Sequence, residues 1–110
     1  MIQLTHSEIE VYHEQGFVVP EYFLPESKVN ELRHALDELI EQNPGVRPEK
    51  LVSAHIESGK EGIKGSRRFL DAALDPDLLD LVEGLIGPDI ILWGCQVFCK
   101  PGGDGMEVPW

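Results

Sequence analysis

The sequence predicts an α+β protein, with a helical layer over about residues 5–86 followed by one long core strand over about 89–99. Three observations predict it. Thr5 and Glu8 form a Thr-x-x-Glu capping box, the local signature of a helix start. Val29, Leu32, Leu36 and Leu39 recur at spacings of three, four and three, a single apolar stripe on a second helix. Residues 90–99 are almost continuously apolar, the pattern of a strand covered on both faces.

The elements follow in order. Leu4 and Ile9 stand where a hydrophobic staple packs, and the first helix runs to about Gln15, with Gly16 suited to the left-handed position after its end. Phe17-Val-Val19 reads as a short strand stopped by Pro20. Pro25 fits the first turn of the second helix, and Asn43-Pro44-Gly45 ends it. Residues 51–56 read as a strand, and residues 58–65, with three glycines, as an exposed loop. A third helix is expected over about 66–74. Asp75 and Pro76 then supply the cap and first position of a fourth, whose buried side is expected to be Leu78, Leu79, Val82, Leu85 and Ile86. Gly87-Pro88 closes it.

Three strands, one of them apolar on both sides, cannot close a barrel or cover their own two faces. The helices protect one face. The other face and at least one edge call for more protein, so the sequence reads as incomplete on physical grounds.

Composition narrows the function. Twenty acidic residues against nine basic ones give a net charge of -11. Nucleic acid and anionic membrane surfaces are therefore not expected partners, because both require clustered Lys and Arg. No apolar run reaches the ~18 residues of a membrane span, and residues 1–8 lack the basic segment and apolar core of a signal peptide. Cys95 and Cys99 lie four residues apart in an extended segment, roughly 13 Å, too far for a mutual disulfide or one shared metal. They are expected to be reduced core residues of a cytoplasmic protein.

Several residues are candidates for chemistry. The pairs His6/Glu8 and His55/Glu57 have the His-x-Glu spacing of a metal site. Glu8 is explained by the capping box. His55 and Glu57 would share a face of a strand, but a third ligand would have to come from His6, His13 or His34 on or near the first two helices. Gln96 places an amide in the middle of the last strand, on the face of Ile90, Leu92, Gly94, Phe98 and Lys100. It is either a structural hydrogen-bonding group or a polar contact in a ligand cavity, with Lys100 at the rim or simply extending into solvent. Arg67 and Arg68 suit a carboxylate or phosphate, or else acidic neighbours such as Asp71 and Asp75. The turn at residues 101–105 lacks the Lys-Ser/Thr of a phosphate-binding loop, and nothing sets a Ser or Cys beside a His and an acid.

Much of the chain carries a pattern in Leu4-Thr-His-Ser-Glu-Ile-Glu10, Tyr12-His-Glu-Gln-Gly-Phe-Val-Val19 and Phe23-Leu-Pro-Glu26. It continues in Leu70-Asp-Ala-Ala-Leu-Asp-Pro76, Leu78-Leu-Asp-Leu-Val-Glu-Gly-Leu-Ile-Gly-Pro-Asp-Ile90 and Leu92-Trp-Gly-Cys-Gln-Val-Phe-Cys-Lys-Pro101. In order and spacing, these segments resemble the phytanoyl-CoA dioxygenase family. The resemblance implies that residues 1–110 are the N-terminal part of one such domain, comprising the helices and first strands of a double-stranded β-helix, or jelly-roll. It implies a non-haem dioxygenase that uses Fe(II) and 2-oxoglutarate to hydroxylate a small organic substrate. Oxidative decarboxylation of 2-oxoglutarate would supply the electrons. By position in the motif, Gln96 faces the 2-oxoglutarate pocket, with Lys100 and Trp110 flanking it. The His-x-Asp pair and the later His that bind iron in the family are then expected beyond Trp110, so this chain alone is expected to be inactive, with the rest of its own domain as partner. The rival expectation is a complete small α+β binding or interaction module without catalysis.

Overall fold

A computed structural model describes residues 2–59, 61–103 and 105. Among the described residues four α-helices form, α1 His6–Gln15, α2 Glu26–Gln42, α3 Arg67–Ala73 and α4 Pro76–Ile86, with a 3₁₀ turn at Pro48–Lys50 between α2 and α3. α2 packs on α3, and α1 on α4.

The helix ends follow from local chemistry. At α1 the Glu8 backbone N–H donates to Thr5 Oγ1 at 3.1 Å, and the Thr5 N–H donates to Glu8 Oε1 at 3.2 Å, completing the capping box. Gly16 ends α1 at φ 82°, a conformation open to glycine without steric cost, with its N–H donating to Tyr12 O. Pro25 lies one position before the first residue of α2. Ser66 caps α3, and Asp75 caps α4 by accepting from the Asp77 N–H at 2.9 Å, with Pro76 at the first position.

The core is small. Ala35 and Leu39 of α2 bury against Leu51, Ala54 and Phe69, and Leu32, Leu36, Ile40, Val46, Ile63 and Val97 close around them. Leu81 is the buried residue of α4. Val82 and Ile86, which the periodicity assigns to its buried side, are exposed instead. α4 rests on the short α1, which buries no residue of its own, so its apolar face is only partly covered.

The expected α+β class is overturned, and with it the jelly-roll strands: the described residues are helix, turn and extended chain, with no β-strand. Residues 17–19 leave Phe17 and Val19 exposed, and residues 51–56 form turns after the 3₁₀ segment. Residues 89–100 take no regular secondary structure and form no strand ladder. The physical reason lies in how a strand is stabilised. A helix satisfies its backbone within itself, whereas a strand requires a neighbouring edge. Among the described residues one backbone bond, from Val97 N–H to Val52 O at 3.0 Å, ties the long segment to the rest.

The radius of gyration is 16.2 Å, against about 13 Å for a compact domain of this length. The difference fits a helical layer carrying an extended arm.

Candidate functional site

The extended segment over residues 89–100 holds two of the three site residues that the motif singles out. Cys95 Sγ donates to Phe69 O at 3.4 Å, and Val97 packs on the core. Cys95, Val97 and Cys99 are half-buried toward the helices, so the cysteines are partly rather than fully inside, and both are free thiols. Leu92, Gly94, Gln96, Phe98 and Lys100 alternate with them and are exposed. Gln96 and Lys100 thus share one open face with Phe98, which is 78% exposed, and the Gln96 amide is solvated rather than enclosed among apolar groups. Ile91 and Trp93 are exposed as well, at 91% and 101%. Trp110, the third site residue, lies outside the described residues.

The histidines stay apart. His6 Nε2 pairs with Glu10 Oε1 at 3.2 Å on α1, while Glu8 is engaged by the cap. The His13 ring meets Tyr12 edge-on. His55 is half-buried, with Nδ1 shielded and without a hydrogen-bond partner among the described residues, and Glu57 is exposed. No strand forms there, so the alternation that would have aligned His55 with Glu57 does not operate. Among the described residues no group of three His, Cys, Asp or Glu side chains comes together to hold a metal ion. These residues therefore do not fit an iron centre.

A polar cluster that the sequence reading missed joins α2 to α4. The Lys28 ammonium donates to the Asp75 carboxylate and lies 3.8 Å from Asp77 Oδ2, to which the Tyr22 hydroxyl donates at 3.4 Å. The hydrogen bond to Asp75 holds the Lys28 amine above its usual pKa. The same bond, with backbone donors from α4, holds the Asp75 carboxyl below its usual value. Burial, then the Asp77 charge, raises the Tyr22 hydroxyl. Asp75 is legible as a helix cap, but Lys28 reads only as part of a wet face because its partner lies 47 residues away.

Arg67 Nε lies 3.3 Å from Asp71 Oδ1, the expected neighbour, but Arg68 Nη1 reaches Glu38 Oε2 on α2 at 3.2 Å instead of Asp71 or Asp75.

Comparison with models of known families matches residues 12–110 to phytanoyl-CoA dioxygenase (PhyH). The chain belongs to the phytanoyl-CoA dioxygenase family. The match spans α1 from Tyr12 onward, the other three helices and the extended arm, and it brings with it a dioxygenase-type function. No curated protein and no solved structure matches. As a phytanoyl-CoA dioxygenase family member, the chain is related to enzymes that use Fe(II) and 2-oxoglutarate, and within it the residues matched are helical support and the Gln96/Lys100 arm. Among the described residues no helix is long and apolar enough to cross a membrane.

Proposed function

We propose that this chain forms the helical part of a non-haem Fe(II)/2-oxoglutarate-dependent dioxygenase that hydroxylates a small organic substrate. Its residues belong to one domain whose iron ligands lie in chain beyond Trp110, and the 110 residues alone do not turn over. The family match over residues 12–110 carries this reading.

The arm supports it. Ile91, Trp93 and Phe98 face water from one short segment, and covering each would stabilise the protein by about 1.5–3 kcal/mol. On this reading, further residues of the same domain cover the arm. Gln96, Lys100 and Trp110 then border the 2-oxoglutarate site, the amide and ammonium offering donors suited to a carboxylate. A net charge of -11 and two free thiols support a cytoplasmic protein with a small-molecule substrate rather than a nucleic-acid or membrane partner.

The test is to read the coding sequence past the Trp110 codon. A His-x-Asp followed by ~150 residues with a second His is the expected result for one enzyme domain. A stop codon at that place would overturn the assignment.

A further inference from the structure

A cavity of about 170 Å³ opens where α2, α3 and α4 meet. Leu24, Leu32, Ala72 and Leu78 give it an apolar wall. An apolar protein cavity of about 150 Å³ accommodates benzene, so this open pocket has room for one six-membered ring.

Five charged side chains line the same cavity, and four already have partners. Lys28 is held by Asp75 and Asp77, Arg68 by Glu38, and Asp71 by Arg67. The fifth, Glu31, pairs with none of the described residues. An organic anion entering here would meet three carboxylates and two cations that are already engaged. A cation would meet one uncommitted carboxylate at the rim, on a chain whose net charge of -11 already attracts it.

We propose that this cavity binds a small ring-bearing organic cation, with the ring against Leu32, Ala72 and Leu78 and the ammonium at Glu31. The site is separate from the Gln96/Lys100 arm and does not rest on the dioxygenase reading.

The experiment is a methyl NMR titration of the 110-residue chain at neutral pH with benzylammonium, benzyl alcohol and benzoate. The expected result is that the methyl resonances of Leu24, Leu32, Ala72 and Leu78 shift with benzylammonium, and that benzoate binds most weakly. Glu31→Gln, a change at an exposed position, should weaken benzylammonium by about two- to fivefold, the range of an exposed ion pair, and leave benzyl alcohol unchanged. Ala72→Leu should fill the cavity and abolish the shifts, with the spectrum of the free variant reporting whether it folds. Three results would each overturn the proposal: no methyl shifts, benzoate binding as well as benzylammonium, or shifts centred on Ile91 and Leu92 instead.

Discussion

Asn43 and Lys64, 21 residues apart, are joined by a reciprocal pair of hydrogen bonds. The Asn43 amide donates to Lys64 O at 2.9 Å and accepts from the Lys64 N–H at 2.8 Å. The same amide donates to Leu39 O at 2.8 Å, so one buried side chain closes the end of α2 and fixes the loop that leads to α3. Asn43→Ala leaves those backbone groups without partners, and each unsatisfied buried group costs about 1–3 kcal/mol. Urea denaturation should show a loss in that range or above. Asn43→Asp, which replaces two donors with a carboxylate facing two carbonyls, should cost more than Asn43→Ala.

Gly65 sits against the backbone carbonyls of Ala54 and Ile56, and a Cβ there would stand 2.5 Å from Ala54 O. Ala54 O also accepts the Ser66 N–H at 2.7 Å, so it cannot withdraw without breaking the bond that sets the α3 cap. Gly65→Ala should destabilise the chain by about 1–3 kcal/mol, in the range of other overpacking substitutions, as read by a lowered thermal midpoint.

Leu39 is 1% exposed at the centre of the core. Leu39→Ala should cost about 2–5 kcal/mol. For a core this small, that is expected to abolish a cooperative thermal transition. Val82→Ala on the exposed part of α4 should change stability by less than about 0.5 kcal/mol.

The Lys28–Asp75 pair makes stability depend on pH from both ends. The Asp75 carboxyl is lowered by its bond from Lys28, so its contribution is present above the ordinary carboxylate value and is lost as pH falls below about 4. The Lys28 amine is raised, so its contribution is present below the ordinary lysine value and is lost as pH rises past about 10.4. Asp75→Asn keeps an oxygen to cap α4 while removing the charge. Its denaturation midpoint should therefore vary less with pH at both ends than that of the unsubstituted chain.

What could be read in the sequence divides along the reach of each interaction. The starts of α1 and α4 were legible because a cap is decided within four residues: Thr5 with Glu8, Asp75 with Asp77. The strands were misread because a run of apolar or β-branched residues reports what a segment needs and not whether an edge is there to pair with it. Over residues 94–100 the arm keeps the predicted alternation, with Cys95, Val97 and Cys99 inward and Gln96, Phe98 and Lys100 outward, but not the pairing. Read from its neighbours Pro44 and Gly45, Asn43 is only a helix stop. It continues the stripe of Leu32, Leu36 and Leu39 at the next helical spacing, and a polar residue in line with an apolar stripe signals a buried, bonded amide. The Lys28–Asp75 pair had no such signal, since nothing local relates residues 47 positions apart.

On the proposed function, the chain contributes helical support and an open arm to a dioxygenase without holding iron itself. Succinate formation from 2-oxoglutarate, measured with Fe(II) for the 110-residue chain beside a chain extended through the codons after Trp110, tests this most directly. The expected result is succinate from the extended chain alone. Iron-dependent succinate from the 110-residue chain would contradict it.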